Sequence, residues 1–412
     1  MKKDIQFRKN FIWNIVGTGF NAFNSLFFMI IVTRINGVNE AGIFTIAFST
    51  ACILYTIGVY AGRIYQVTEL NKNISDKDFI ANRIITSIAM PIFLIIFCVI
   101  RNYELEKLII FLLLTLYKML EAFSDVIYGI LQKNEKLEIV GKSLFFKSLC
   151  SILLFLIIDI ITNNIAISTI SMIIICILII ILYDFRKSIT YINFKVRINK
   201  KNVWSIFKKG FFIFIIAFLG LYVLNAPKYA IDTYLMNEVQ TIFGIIVMPA
   251  TIVGLVAQFL IHPYLNQLVD LYQQKNLKEY KKMILKLISM IIIFGITATI
   301  LAYFIGTQVL GMVYGIDLSE YKLGLSIIIV SSTLYTIGTI YSSALTTVRE
   351  TFSQFIIYLI LSVSAYIISN ILTKTYNING AIMAYFIIML LQSLLYIIYS
   401  NIKLKKIFSI KE

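Results

Sequence analysis

A chain of 412 residues with 59% hydrophobic and 14% charged side chains is not a set of water-soluble domains, which carry about 25% charge. Its net charge of +16 comes from Lys and Arg scattered in short stretches between apolar runs. That placement suits membrane loops and excludes a continuous nucleic-acid-binding face.

The opening MKKDIQFRKN leads into an apolar run over 11–32. The run is too long for a signal-peptide core and lacks a small-residue cleavage pattern, so it reads as a first spanning helix. A bilayer core about 30 Å thick takes roughly 20 apolar residues per helix. On that scale the sequence predicts twelve spans: 11–33, 41–62, 83–100, 108–131, 143–160, 166–183, 210–236, 242–268, 284–305, 323–345, 355–372 and 380–399. The expected fold class is all-α integral membrane, with two six-helix lobes over 1–183 and 210–412, a basic cytoplasmic linker over 184–209 and a short cytoplasmic tail. Thirty Lys and Arg fall to the side of the termini and the even-to-odd connections, against five on the other side (Arg34, Arg101, Lys107, Lys322, Lys374), which places both ends in the cytoplasm. The linker carries eight basic residues and reads as a headgroup-facing segment. Ile43-Phe44 after the first span has a counterpart in Ile242-Phe243 after the seventh, as in transporters built from parallel repeats.

Polar groups at bilayer depth each need a reason. The first span carries Asn14, Thr18, Asn21 and Ser25 on one face with Asn24 beside them. These suit either interhelical hydrogen bonds or a hydroxyl-rich ligand. Arg34 stands at the outer end of this span and Arg63 at the inner end of the second, where either side chain can also snorkel. In the fourth span Lys118, Glu121, Asp125, Tyr128 and Gln132 recur every three or four residues, so they share one helical face. Two readings stay open: a self-neutralising network that fixes packing, or the wall of a water-filled cavity. The seventh span has Asn225, Pro227, Lys228 and, one turn on, Asp232; the proline predicts a kink, and the two charges can pair at i, i+4. Single cysteines (Cys52, Cys98, Cys150, Cys176) sit in apolar runs without CxxC spacing, which gives no redox or metal role. His262 is alone and reads as structural. Gly141-Lys142-Ser143 lacks the earlier glycine of a phosphate-binding loop, since position 136 is Lys136. No ATP site, metal site or cofactor is expected, and transport is left to an ion gradient, the membrane potential or the substrate's own gradient.

The segments 62–67 (GRIYQV), 121–132 (EAFSDVIYGILQ) continuing to Gly141-Lys142-Ser143, and 225–235 (NAPKYAIDTYL) leading to Met248-Pro249, together with the six-plus-six division, carry a resemblance. The chain resembles the lipid-linked oligosaccharide flippases (O-antigen and capsule type) of the polysaccharide branch of the multidrug/oligosaccharidyl-lipid/polysaccharide exporter (MOP) superfamily. That resemblance implies two lobes forming a V around an alternately open cavity in a bacterial cytoplasmic membrane. It also implies an undecaprenyl-pyrophosphate-linked oligosaccharide as cargo, and transient contact with glycan polymerases or glycosyltransferases. Lys118, Lys228, Arg34 and Arg63 then offer cations to the pyrophosphate. Asn14, Asn21, Asn225 and Tyr128 offer hydrogen bonds to sugars, while Glu121, Asp125 and Asp232 exchange partners with H+ or Na+. The alternatives are a multidrug exporter, which wants a net-acidic cavity, and a peptidoglycan-precursor flippase. A membrane glycan polymerase or acyltransferase would need catalytic residues on a sizeable outer loop, and the largest expected one is only 306–322.

Overall fold

In hydrocarbon every backbone N–H and C=O must be satisfied internally, so apolar runs of this length fold as helices. The structure, a computed structural model, describes residues 2–69, 74–192 and 199–410, and the side chains of all of these except 2–5, 259, 262 and 407–410. The described residues are helical almost throughout. Among the described residues ten helices are long and apolar enough to cross a membrane, and the chain is a multi-pass helical membrane protein. The side chain of His262 and linker residues 193–198 lie outside the described residues.

The chain divides into two compact units, Met1–Phe218 and Leu219–Glu412. The first holds α1 (Lys2–Ala22), α2 (Asn24–Ile35), α3 (Val38–Val59), α4 (Gly62–Thr68), α5 (Asp76–Ile100), α6 (Leu105–Lys133), α7 (Leu137–Thr162) and α8 (Ile165–Ile179). Helix α8 continues through a π-helical segment, Ile180–Phe185, into α9 (Arg186–Ser188). Helix α10 (Lys200–Tyr234) begins in the first unit and ends in the second. The second unit then contains α11 (Asn237–Gln273), α12 (Leu277–Leu301), α13 (Thr307–Tyr314), α14 (Lys322–Thr347) and α15 (Thr351–Ile410).

Four features differ from the sequence reading. The first span is broken at Phe23, where α1 gives way to α2. The expected linker is helical at both described ends, because α9 prolongs α8 and α10 starts at Lys200; Ile206 of that early turn is buried in the core of the first unit. The expected outer loop 306–322 is largely helical: α13 occupies Thr307–Tyr314 and stops at Gly315, whose φ of 77° forms a left-handed cap. Beyond it Asp317 accepts from the Ser319 backbone N–H at 2.9 Å, which holds its carboxyl below the usual carboxylate range. The two last expected spans lie on one element, α15, bent at Tyr376 and Asn377, the latter at φ 52°. Asparagine tolerates that left-handed conformation better than most residues.

Each helix of the first unit buries a specific face. Helix α1 meets α7 through Gly17 and Gly141, where a Cβ on Gly17 would fall on the Gly141 carbonyl and one on Gly141 on the Trp13 carbonyl. Aromatic residues close over this contact, with Phe20 and Phe145 centroids 5.1 Å apart. Deeper in the unit, Phe28, Phe44 and Phe155 are buried and in mutual contact. Phe243, which the sequence reading matches to Phe44, is likewise fully buried. Helix α5 starts with a capping box in which Ser75 and Asp78 bond reciprocally.

Because backbone meets backbone at Gly141, Gly141→Val should force α1 off α7. We expect the midpoint of thermal inactivation in detergent to drop by roughly 5–10 °C, measured by size-exclusion after heating. Gly19→Val, at a position with open space around it, should leave it unchanged.

Candidate functional site

Helix α6 carries the polar residues that set this lobe apart. Its 29 residues hold too many charges to count as a span on composition alone, yet it is packed between α3, α5, α7 and α8. The structure resolves its polar stripe into three ion pairs at successive levels. At the first, Lys118 Nζ lies 2.7 Å from Glu121 Oε2, and both side chains keep 12–13% exposure. The ammonium also sits over the rings of Phe48 and Tyr117, at 4.8 and 5.5 Å. Cation–π contact and a carboxylate partner together hold a lysine that begins roughly 20 Å into the helix.

At the second level, Arg83 of α5 reaches Asp125 Oδ2 at 3.0 Å and donates to the Ala122 carbonyl at 2.8 Å. Arg83 is 5% exposed and Asp125 16%.

The third level is closed. Lys147 of α7 uses all three ammonium protons, on Ser124 Oγ (2.8 Å), Tyr128 OH (2.9 Å) and Asp184 Oδ2 (3.0 Å). Ser143 Oγ lies 2.5 Å from Asp184 Oδ1 and 2.8 Å from Tyr128 OH. The ionised carboxylate has no proton to give, so Ser143 donates to Asp184 and Tyr128 in turn donates to Ser143. The ring is satisfied with a protonated phenol. Asp184 comes from the π-helical segment Ile180–Phe185, and such insertions re-aim side chains out of α-helical register. Lys147 and Asp184 are essentially fully buried.

The remaining predicted residues are spread over both units. Asn21 Oδ1 accepts from Asn24 Nδ2 (3.2 Å) and from Ser148 Oγ (3.0 Å), which ties the break between α1 and α2 to α7. Asn14 has a buried Oδ1 with no hydrogen-bond partner, beside the Gly141 contact. Arg34 is exposed in the last turn of α2. Arg63 is partly exposed in the first turn of α4 and makes no ion pair among the described residues. In the second unit, Asn225 turns back to donate to the Leu221 carbonyl of its own helix at 2.8 Å. Helix α10 keeps its helical course through Pro227. Lys228 and Asp232 on it are partly exposed, and each interacts with a neighbour. The structure therefore brings Lys118 to Glu121, and it joins Asp125 and Tyr128 to partners that the sequence reading did not name.

Those missed partners are Arg83, Lys147 and Asp184. On charge alone the first two count among the inner-loop cations, and the third is the first position of the expected linker. One signal was available: Lys147 stands inside the apolar run LFFKSLCS, where a lysine at bilayer depth calls for a carboxylate. The second unit is built differently. Among its described residues no charged side chain is buried, and its polar interior consists of Ser, Thr, Gln and Tyr, including Gln240, Ser332, Gln354, Gln392 and Tyr396.

No protein-family model matches the chain. A curated relative, the capsular polysaccharide biosynthesis protein CapF of Staphylococcus aureus, is 27% identical over 318 residues, covering 76% of this chain and 78% of that protein. Among solved structures, an inward-facing multidrug resistance MATE family transporter of the MOP superfamily superposes with a TM-score of 0.72 at 12% identity, over 96% of this chain and 98% of that one. The lipid II flippase MurJ, in an inward closed conformation, gives 0.69 at 18% identity, over 95% and 87%. The chain has the fold of MOP-superfamily transporters.

Removing one member of a buried pair leaves an uncompensated charge, at a cost of about 3–5 kcal/mol. Asp184→Asn and Lys147→Met should each sharply lower the yield of folded, monodisperse protein, and Lys147→Met with Asp184→Leu should restore much of it. Equal loss in the double variant would show that the pair acts through something other than charge balance.

Proposed function

We propose that this protein flips an undecaprenyl-pyrophosphate-linked oligosaccharide from the inner to the outer leaflet of a bacterial cytoplasmic membrane, by alternating access, for cell-surface polysaccharide assembly. The transporter fold, the capsule-biosynthesis relative and the strong Lys/Arg bias support this reading. The bias survives the withdrawal of Arg83 and Lys147 into the helices and favours cytoplasmic termini. Twelve crossings follow if α6 is added to the ten apolar helices and α15 is divided at its bend.

The observation that carries the reading is Lys118. Of the three ion pairs stacked along the α6 stripe, Lys118–Glu121 is the one whose ammonium and carboxylate both keep exposure, the more open Lys133–Asp76 pair lying at the helix end, so its cation is available to a polyanion that displaces the carboxylate. Arg63, unpaired among the described residues, adds a second cation at the expected cytoplasmic end. The three pairs are balanced, one cation to one carboxylate, which is not the net-acidic lining that export of cationic drugs calls for. Glu121, once displaced, takes up H+ or Na+.

Lys118→Ala should reduce surface glycan about ten- to hundredfold at equal protein level in the membrane, the equivalent of about 1.5–3 kcal/mol for a charge-assisted hydrogen bond. Lys118→Arg should retain part of the export. Undiminished glycan in the alanine variant would remove Lys118 from the mechanism.

A further inference from the structure

The first unit contains a cavity of about 500 Å³ that none of the residues discussed so far lines. It opens where α2 ends, α3 and α6 begin and α7 turns into α8, and its polar lining is Asn36, Glu40, Glu106, Asn163 and Asn164. No lysine or arginine lines it. On the charge bias this is the external end of the lobe, opposite the end that carries Arg63 and Lys133.

The hydrogen bonds of this region leave acceptors without donors. Asn36 Nδ2 reaches Asn163 Oδ1 at 3.2 Å and Asp159 Oδ1 at 3.3 Å. Asp159, which does not line the cavity but bonds to its Asn36, is fully buried and also accepts from Ser168 at 2.9 Å; its Oδ2 has no partner, and neither has the buried Oδ1 of Asn36. Buried acceptors of this kind are costly unless something donates to them. Glu40 and Glu106 add carboxylates at the wall, while Asn164 spends its Oδ1 on the N-cap of α8 and keeps its amide N–H groups. The volume falls in the range of about 300–1,000 Å³ typical of small-molecule sites. The required ligand donates several hydrogen bonds, accepts a few from amides and carries no negative charge.

We infer that this cavity is an exit-side subsite for the sugar units of the cargo, holding vicinal hydroxyls between carboxylates and asparagine amides. The inference rests on the flippase reading above. The phosphate end is excluded by the carboxylates, so the cargo spans two sites of opposite character: cations near Lys118 and Arg63 for the pyrophosphate, acceptors at Asn36, Glu40 and Glu106 for the glycan. Once the glycan has reached the outer side, hydroxyls taken up here oppose its return.

The test is thiol labelling in intact cells, using Ala166→Cys in a chain whose four native cysteines are replaced. A membrane-impermeant maleimide should label Cys at this position from outside. The rate should fall about threefold, as for a site two-thirds occupied, in cells making the lipid-linked glycan, relative to cells blocked in the first sugar transfer to the lipid carrier. Adding Glu106→Gln and Asn36→Ala should abolish that protection while the labelled protein stays at the same membrane level. Equal rates in the two backgrounds would overturn the inference, as would labelling only after permeabilisation. Protection that follows added Na+ or Ca2+ in both backgrounds would assign the cavity to a cation and overturn it equally. Surface glycan that persists when the whole gene is deleted would instead remove the flippase reading, and is scored separately.

Discussion

An ionised side chain at bilayer depth must be paired or solvated, and this requirement organises the first unit. The charges of the α6 stripe are met within hydrogen-bonding distance: Lys118 by Glu121 on α6 itself and Asp125 by Arg83 on α5, while Tyr128 joins the Lys147–Asp184 pair from α7 and the end of α8. A helix too polar to enter lipid on composition thus becomes the centre around which its neighbours assemble. The π-helical segment at Ile180–Phe185 has the same origin. It places Asp184 where Lys147 and Ser143 need an acceptor, and the local departure from α-helical geometry is offset by a satisfied ion pair.

The second unit solves the problem without charge. Ser332 of α14 donates to the Ala250 carbonyl beside Pro249 at 2.9 Å, and Ser342 reaches Gln354 at 2.7 Å. Tyr358 and Tyr396 meet edge to face with centroids 6.0 Å apart. Neutral groups carry a far smaller desolvation cost than ions, so this interior can be rearranged with less penalty than a network of buried ion pairs. The two units therefore differ in their polar interiors: among the described residues the first has paired charges around α6, the second neutral polar groups.

The element types and the stripe on α6 were legible in the sequence because both depend on local periodicity. Lys118 and Glu121, three residues apart, were bound to meet. The partners of Asp125 and Tyr128 were not legible. Arg83 and Asp184 lie at the edges of apolar runs, where a charge near the end of a span looks the same as one in a loop, and Lys147, though inside such a run, gives no hint of which carboxylate packing brings to it. The break at Phe23 carries neither Gly nor Pro, and its stabilisation by Asn21, Asn24 and Ser148 joins residues more than 120 positions apart. Nothing in the sequence marks the helix over Thr307–Tyr314, because the span before it already has the length a bilayer needs. The acceptor-rich cavity left no trace in the sequence, since its lining comes from the ends of five helices.

Balanced pairing also constrains how an anionic cargo would be handled on the proposed reading. Lys118 is already neutralised by Glu121, so a pyrophosphate gains access only by exchange. The displaced carboxylate is left in a low-dielectric lobe, where an unpaired charge is far costlier than in water. It therefore takes up a proton or a small cation, or the phosphate is not retained. Cargo binding and cation uptake become one event at one residue pair, and coupling needs no second site in the lobe. On this reading the neighbouring pairs serve that exchange: Arg83–Asp125 ties α6 to α5, and Lys147 ties it through Ser124 and Tyr128 to α7, contacts that oppose a rotation of α6 to relieve Glu121. A ligand shifts a conformational equilibrium only by its differential affinity for the two states, and a lysine whose partner changes with ligation supplies that difference.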